Sequence, residues 1–317
     1  MNLKATFKKQ GGVKLLKQYW KGGALFTAMG EFLLLGKSRT ALEILRLSTQ
    51  LKVKQKLEKK YTAKLDEFEK NYDPEQPHKT SNKVWICWFQ GMENAPTMVQ
   101  KCYQSLQENL NGREIILITE ENMKKYVQFP SYIQEKVDKG IISKTHLSDL
   151  LRLELLIRYG GTWIDSTVYC SGGNIPEYML EADLFLFQNL KPGRDGHTTV
   201  ISNWFITATS NNKLLVATRE LLYQYWKQEN EVVDYFVFHD FFQMVIEKYP
   251  AEWKKVVPFS NSTPHILLLR LEEPYDGKVW QAIKAQTPFH KLTYKFDTER
   301  IEKKGTYYDV LFKEKTK

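Results

Sequence analysis

The segment "SKTHLSDLLRLELLIRYGGTWIDSTVYC", from Ser143 to Cys170, constrains the fold more than any other part of the sequence. Its first half has leucines at helical spacing and ends at Gly160 and Gly161, where a helix commonly requires a left-handed residue. A short strand, "TWI", follows and ends at Asp165. A helix, a sharp turn and a buried strand in this order are typical of α/β proteins.

The chain after residue 82 continues this alternation of strands and helices. "KVWICWF" and "NGREIILIT" predict two buried strands with an amphipathic helix between them, and "EADLFLFQN" and "NWFITAT" predict two more strands. The pattern predicts an α/β fold with a Rossmann-like, mostly parallel sheet and helices on both faces. Ligands bind such sheets beyond the carboxyl ends of the strands, where Trp88 and Asp165 are expected.

Cysteine content and hydropathy limit the class of protein. The three cysteines, Cys87, Cys102 and Cys170, are too few and too scattered for a disulfide framework or a zinc site. We therefore expect a reducing, cytoplasmic location. We expect no secretory signal peptide, because the first residues lack a continuous apolar core. The apolar stretch from Ala24 to Leu35 contains a glutamate and is too short to span a bilayer.

The positive charge is concentrated at the N-terminus. The formal net charge is +9, and residues 1–70 hold 14 lysines and 2 arginines against 6 acidic residues, a surplus of +10. The remainder is close to neutral, which argues against a nucleic-acid-binding domain. Apolar residues recur at helical spacing among the lysines, so we predict a basic amphipathic helical segment. This segment either lies on an anionic membrane surface or packs on the domain with its lysines in solvent.

A polar stretch with two prolines, "YDPEQPHKTSNK", follows the basic segment. Prolines, polar neighbours and a lack of periodicity are typical of a connection between structural units. We therefore predict a helical segment over residues 1–75 and a single α/β domain over residues 76–317.

Two charged residues on the helix before the double glycine are candidates for ligand binding. Asp149 and Arg152 are three positions apart and share one helix face, which can point along the same sheet edge as Asp165. An arginine there can hold a diphosphate, and an aspartate can accept hydrogen bonds from sugar hydroxyls. The same spacing is also that of a plain salt bridge, and spacing alone leaves both interpretations open.

The block "SDLLRLELLIRYGGTWIDSTVYC" resembles the signature of a group of GT-A glycosyltransferases. The group includes glycosyltransferase family 32, the clostridial glucosylating toxins and bacterial capsular polysaccharide synthesis proteins. The first strand region, "VWICWFQGMENAP", is similar to theirs as well, and the capsular group is the nearest in form. The resemblance covers residues 83–172 and, more weakly, "HKLTYK" near the C-terminus. It implies a GT-A-type version of the predicted sheet.

The resemblance implies a role for particular residues of this chain. It places a nucleotide base on Trp88, with Gln90 beside it, and places donor sugar hydroxyls on Asp149. It places the donor phosphates near Arg152, and the ribose and a metal near Asp165. The implied catalytic residues are Asp149, Arg152 and Asp165, and the implied donor-binding residues are Trp88, Gln90, Asp149, Arg152, Asp165, Ser166, Thr167, His290, Lys291 and Lys295.

The chain departs from the family pattern at the metal. The family's motif has two aspartates separated by one residue, and Thr167 stands in place of the second. The resemblance implies Mn²⁺ or Mg²⁺ as cofactor, with Asp165 and His290 as candidate ligands. Because Ser166 and Thr167 offer only neutral oxygens, we expect the ion to bind weakly without nucleotide.

The resulting expectation is a retaining glycosyltransferase, a hexosyltransferase that uses a nucleotide-sugar donor, most simply a UDP-sugar. Its acceptor is expected to be a glycan or a lipid-linked oligosaccharide of a capsule, reached from the inner face of the cell membrane. Residues 1–70 are the candidate contact with an anionic membrane surface, and no nucleic acid is expected as a partner. Two alternatives remain: a non-catalytic nucleotide- or carbohydrate-binding domain with a degenerate motif, and a basic interaction protein.

Overall fold

A computed structural model describes residues 12–191, 198–296 and 303–313, so the first residues of the predicted basic segment lie outside the described ranges. The helices are α1 (Val13–Gly22), α2 (Leu25–Leu35), α3 (Arg39–Asn71), α4 (Thr97–Asn109), α5 (Met123–Tyr126), α6 (Ser131–Asp138), α7 (Lys144–Tyr159), α8 (Tyr178–Glu181), α9 (Lys213–Gln228), α10 (Val237–Lys248), α11 (Pro250–Trp253), α12 (Ile266–Arg270), α13 (Gly277–Gln286) and α14 (Tyr307–Phe312). The strands are β1 (Lys83–Cys87), β2 (Glu114–Ile118), β3 (Gly161–Ile164), β4 (Val168–Cys170), β5 (Leu184–Gln188), β6 (Ile201–Ala208) and β7 (Phe289–Lys291).

The central sheet has five strands in the order β2-β1-β3-β6-β5. Strand β1 pairs in parallel with both β2 and β3, while β6 runs antiparallel to β3 and β5. Four strands therefore share one direction and β6 opposes them. A separate antiparallel pair joins β4 to β7, with Val168 opposite Lys291. The predicted α/β class and mostly parallel sheet are confirmed.

Alternate side chains of the strands feed two hydrophobic cores, one on each face of the sheet. Trp85 and Trp163 point into the larger core together with leucines of α7 and aromatic residues of α9 and α10. Val84 and Ile86 point to the other face, where they meet residues of α4 and α8. Because both faces are covered, the strands read as continuous apolar runs. The prediction of helices on both faces is confirmed.

The long helix α3 belongs to the larger core. Val53, Leu57, Tyr61 and Leu65 are buried in that core, and the Tyr61 ring meets Phe241 of α10 edge-on with 5.2 Å between ring centroids. The N-terminal segment is expected either to lie on a membrane surface or to pack on the domain, and α3 packs on the domain. None of the described helices is long and apolar enough to cross a bilayer.

The double glycine after α7 is required by a close approach of backbones. Gly160 and Gly161 both have positive φ, +68° and +95°. A Cβ atom on Gly161 would lie 2.3 Å from the carbonyl oxygen of Lys83, and one on Gly160 would lie 2.8 Å from that of Lys79. The pair therefore lets β3 start directly against the beginning of β1, which fixes where β3 ends at the sheet edge.

Substitution of Gly161 should therefore destabilise the whole domain. We expect Gly161→Ala to lower the free energy of unfolding by more than about 3 kcal/mol, because strain at positive φ adds to a clash with backbone. Gly173→Ala is the matched control, since Gly173 also has positive φ but nothing within 4 Å of its would-be Cβ. It should cost about 1–2 kcal/mol. Denaturant titration of both variants gives the comparison, and equal losses would contradict the account.

Candidate functional site

A cavity of about 500 Å³ opens beyond the carboxyl ends of β1 and β3. Most of the lining comes from four chain segments: the residues after β1, the turn after β3, one face of α7, and β7 with the residues that follow it. Strand β6, the turn before α10 and the start of α10 add further residues. The cavity is lined by Cys87, Trp88, Phe89, Gln90, Lys144, Thr145, Ser148, Asp149, Arg152, Trp163, Asp165, Ser166, Thr167, Asn203, Tyr235, His239, Lys291, Leu292, Thr293, Tyr294 and Lys295. This is the edge at which the parallel-sheet rule locates ligands.

Helix α7 brings Asp149 and Arg152 to the cavity wall. The Ser143 side chain accepts a hydrogen bond from the backbone N–H of His146 and so starts the helix at a fixed point. Asp149 and Arg152 are both nearly buried and pair with each other, with 3.1 Å between Nη1 and Oδ1. Asp149 and Arg152 therefore form a salt bridge and also line the cavity, so the two interpretations are compatible.

Asn203 of β6 ties this pair to the sheet. Its Nδ2 donates to Asp149 Oδ1 at 2.9 Å, and its carbonyl oxygen accepts from Arg152 Nη1 at 2.9 Å. The other terminal nitrogen of Arg152, Nη2, lies 3.3 Å from Ser148 Oγ and 3.6 Å from Asp165 Oδ1. The guanidinium also lies over the Trp163 ring, 4.9 Å from its centroid. Protein groups therefore already bond both terminal nitrogens of Arg152, which are the predicted contacts for the donor diphosphate.

The turn after β3 carries Asp165 and Thr167, and Lys291 of β7 joins them. Lys291 Nζ donates to Asp165 Oδ2 at 3.1 Å and to Thr167 Oγ1 at 2.6 Å. The indole N–H of Trp163 donates to the other carboxylate oxygen, Oδ1, at 2.9 Å. Burial raises the pKa of the Asp165 carboxyl, but Lys291 and Arg152 outweigh it and hold that pKa below its usual range. The carboxylate is therefore ionised at neutral pH.

The side chains around Asp165 do not match a resident divalent ion. Within the described ranges, no three His, Cys, Asp or Glu side chains come together in a way that would hold a metal. One carboxylate and two hydroxyls face the cavity from the turn, and an ammonium group already bonds two of those oxygens. Mg²⁺ keeps several waters and is usually bound through one or two carboxylates together with substrate phosphates, and not by protein groups alone. The residues present do not fit a protein-held Mn²⁺ or Mg²⁺ ion.

The two tryptophans of the first strand region, Trp85 and Trp88, have different environments. Trp85 is fully buried, and its Nε1 donates to the carbonyl of Gly160 at 2.9 Å, so it is a core residue. Trp88 lies at the cavity, where its ring meets Tyr294 edge-on with 5.4 Å between centroids. Its Nε1 is buried without a hydrogen-bond partner among the described residues. Gln90 is exposed and lines the cavity beside it.

The structure does not bring His290 to the cavity. Neighbouring residues of a strand point to opposite sides, so Lys291 faces the cavity while His290 faces away from it. The His290 ring is fully buried, packs against Trp280, and shares a hydrogen bond between its Nε2 and Ser171 Oγ at 2.9 Å. His290 is therefore not part of the donor site in this arrangement. Ser166, Lys291 and Lys295 do line the cavity.

A sequence model of the family described as capsular polysaccharide synthesis protein matches residues 38–311. The chain belongs to this family. The match begins at Ser38, directly before α3 and upstream of the predicted boundary at residue 75. A curated relative, O-glycosyltransferase braB of Annulohypoxylon truncatum, is 28% identical over 166 residues, which are 46% of this chain and 38% of the relative. The chain thus spans well under half of that relative's length.

A solved structure, the PaToxG glycosyltransferase, is similar over 81% of this chain and 95% of its own, with 15% identity and a TM-score of 0.38. A likeness at that score does not support an inference about function. Membership of the capsular polysaccharide synthesis family, together with the curated relative, supports a glycosyltransferase-like activity.

Several cavity residues of this family member had no signal in the sequence. Tyr235 lies beside Phe236 in the turn before α10, Tyr294 lies in the irregular segment after β7, and Cys87 is the last residue of β1. His239 reads as a core histidine of an aromatic helix, but it lines the cavity. Burial lowers the pKa of His239 to about 4 and raises the pKa of the Cys87 thiol to about 12. At neutral pH both groups are uncharged.

The buried ring of His290 predicts a dependence of stability on pH. Burial lowers the pKa of His290 in the folded protein to about 3, well below the ordinary value of about 6.5 for an exposed histidine. Between these values the unfolded chain binds a proton that the folded protein does not. The free energy of unfolding should therefore fall as the pH drops below about 6.5, with a slope of up to about 1.4 kcal/mol per pH unit from this residue.

Denaturant titrations of the wild-type protein and of His290→Gln across this pH range measure that slope. The variant is expected to have a shallower dependence on pH, whatever its stability at neutral pH. Identical slopes for the two proteins would show that His290 is not buried in its neutral form.

Proposed function

We propose that the protein is a retaining glycosyltransferase that moves a hexose from a UDP-sugar to a glycan acceptor. The acceptor proposed is a lipid-linked repeat of a capsular or cell-surface polysaccharide, met at the cytoplasmic face of the membrane. The observation that carries the proposal is the convergence of Asp165, Arg152 and Lys291 at one cavity beyond the strand ends. Family membership supports the transfer of a sugar.

The donor diphosphate is proposed to bind at Lys291. An ammonium group has three donors, and the Asp165 and Thr167 side chains take two of them. The third is free to reach a phosphate oxygen in the cavity. Lys295 lines the same cavity and adds positive charge around it, while Lys144 at the cavity pairs with Glu120. As the bond between sugar and phosphate breaks, negative charge grows on the leaving diphosphate, and fixed cations stabilise that charge.

Arg152 is proposed as a positioning residue. Its terminal nitrogens bond Asn203, Ser148 and the two carboxylates, so it holds Asp149 and Asp165 in place. The other oxygen of Asp149, Oδ2, lies 3.6 Å from His146 Nδ1 and is proposed to accept from a sugar hydroxyl. The His239 ring is neutral, and its Nδ1 has no partner among the described residues. It is a second group suited to a sugar hydroxyl.

The nucleotide base is proposed to lie against Trp88. The ring stands at the cavity opening next to Gln90 and Tyr294, and an indole face is a good stacking surface for a base. This arrangement puts the base toward the end of β1 and the diphosphate toward the turn after β3.

Retention is proposed because the resemblance implies it, and the side chains at the cavity are compatible with it. The Cys87 thiol is protonated at neutral pH, and Asp149 and Asp165 are held in ion pairs. We therefore propose that the acceptor hydroxyl attacks the anomeric carbon from the side of the leaving group. The bond between that carbon and the phosphate oxygen breaks with its electron pair going to the diphosphate. The hydroxyl proton passes to the departing phosphate oxygen.

The charge on Lys291 is proposed to act where related enzymes use a divalent ion. UDP should then bind in EDTA as well as in Mn²⁺, because the ammonium group is part of the chain. Lys291→Gln removes this charge and should weaken UDP binding at least tenfold. Lys278→Gln, on an exposed part of α13 outside the cavity, should leave binding unchanged. Calorimetric titration of UDP gives all these values.

Two results would contradict this role for Lys291. One is a loss of UDP binding in EDTA that Mn²⁺ restores. The other is tight binding of Mn²⁺ to the protein without nucleotide.

Loss of the Asp165 charge should remove most of the catalysis. We expect Asp165→Asn to lower donor turnover by about 10²–10³, since a fixed charge that orients Lys291 is lost. The assay is hydrolysis of UDP-glucose, UDP-galactose and GDP-mannose, with circular dichroism to confirm that the variant is folded. Near-normal turnover in a folded Asp165→Asn protein would rule out this site assignment.

A non-catalytic role in nucleotide or carbohydrate binding is the second candidate, and one observation favours it. Thr167 stands where the family's second acidic residue is expected, and its hydroxyl is already bonded to Lys291. UDP binding with no hydrolysis or transfer of any of these donors would support this second function.

A further inference from the structure

The N-terminal helices expose apolar side chains far more than the rest of the protein does. Of the seventeen large apolar side chains that are exposed in the described ranges, eleven lie between Leu16 and Leu51. We call this set the apolar patch: Leu16, Trp20, Phe26, Met29, Phe32, Leu33, Leu34, Leu35, Ile44, Leu47 and Leu51. Soluble monomers rarely expose this much apolar surface in one region, and such a surface marks a site of contact with a protein or a membrane.

Helix α2 is at the centre of the apolar patch and is held firmly in place. Its small residues Ala24 and Ala28 are buried and let it pack closely on α3. Gly23 has a φ of 71° and makes the turn from α1 into α2. On the other side, Phe26, Met29 and Leu33 recur at intervals of three and four and share one exposed face. The apolar patch is thus part of the ordered surface of the folded protein.

The charges around α2 differ from those on the rest of the basic segment. Lys17 and Lys21 pair with Glu231, Lys54 pairs with Glu58 and Glu247, and Lys60 pairs with Glu229. These pairs neutralise part of the lysine surplus inside the protein. Lys37 and Arg39 are exposed and directly follow α2, next to the leucines of its last turn. A lipid bilayer matches this arrangement, since it offers hydrocarbon beneath a layer of phosphate groups.

We infer that the apolar patch inserts into one leaflet of a lipid bilayer, with α2 lying in the plane of the interface. An eleven-residue helix spans only about 16 Å, roughly half of a bilayer's hydrocarbon thickness, so it lies on the membrane and does not cross it. Membrane insertion does not depend on the proposed function. Only its role, which is to bring a lipid-linked acceptor to the cavity, rests on that function.

An apolar groove lies between the N-terminal helices α1 and α3 and borders the donor cavity. It has a volume of about 280 Å³ and lies between α1, α3 and the loop before α10, with Leu15, Leu42 and Leu45 among its lining residues. Tyr235 of that loop lines both the groove and the donor cavity. The groove and the donor cavity are therefore adjacent, and α1 and α3, which line the groove, also carry residues of the apolar patch; this suits an acceptor whose lipid stays in the bilayer.

The inference differs from electrostatic attraction in its response to salt. Each Leu or Phe side chain that leaves water for hydrocarbon raises affinity roughly tenfold or more, and salt does not screen that effect. Binding to basic residues alone falls steeply with salt. We therefore expect the full-length protein to stay on phosphatidylcholine vesicles at high salt, with added phosphatidylglycerol giving a modest gain at low salt.

Vesicle flotation with a matched pair of variants tests this. Leu33 and Leu34 are 80% and 84% exposed on α2, and Leu269 is 77% exposed on α12, away from the patch. Leu33→Gln/Leu34→Gln should lose at least tenfold in vesicle affinity at low and high salt. Leu269→Gln should bind as the wild type does. Trp20, which is 64% exposed within the patch, provides a second readout, because lipids brominated in their acyl chains should quench its fluorescence.

Donor hydrolysis without vesicles separates this inference from the proposed function. Both variants should hydrolyse the donor as the wild type does, because their substitutions lie outside the cavity. Failure of hydrolysis in every protein, with vesicle binding intact, overturns the enzyme and leaves the membrane surface standing. Release of the wild type from vesicles by salt, with no effect of the α2 variant, overturns the inference. So does an absence of vesicle binding together with a dimer in sedimentation that the α2 variant dissociates.

Discussion

The bond from the Lys291 ammonium group to Asp165 and Thr167 connects the two parts of the chain that make the site. Lys291 comes from β7, close to the C-terminus, and the two acceptors come from the turn after β3. The pairing of β7 with β4 delivers the lysine to this turn, and the Gly160–Gly161 pair fixes where the turn lies at the sheet edge. Without this contact the Asp165 carboxylate would keep only Arg152 as a nearby cation, and no ammonium group would face the cavity at this turn.

The sequence predicts the local parts of this arrangement well. Hydrophobic periodicity and the double glycine give α7, β3 and the position of Asp165, because each depends on residues that are neighbours along the chain. The alternatives for Asp149 and Arg152 turn out to be compatible, since the two residues form a salt bridge at the cavity wall. Spacing gives the shared helix face but does not reveal which surface covers that face.

Long-range contacts account for what the sequence does not predict. Asn203 reaches Asp149 across 54 positions and Lys291 reaches Asp165 across 126, and neither pairing leaves a periodic signal. The assignment of His290 treats "HKLTYK" as a basic segment. The segment begins as a strand, which turns neighbouring side chains to opposite sides. The helix α2 reads in sequence only as an apolar stretch, and its exposure depends on how α3 packs.

Binding of the donor diphosphate to a protein cation at the turn after β3 is the proposal on which the other assignments depend. The most direct measurement is a crystal structure of the protein grown with UDP and Mn²⁺, with diffraction collected at the manganese edge. The account predicts a diphosphate oxygen within hydrogen-bond distance of Lys291 Nζ, the base against Trp88, and no anomalous peak between Asp165 and Thr167. A manganese peak bonded to Asp165, with Lys291 displaced from the site, would contradict it.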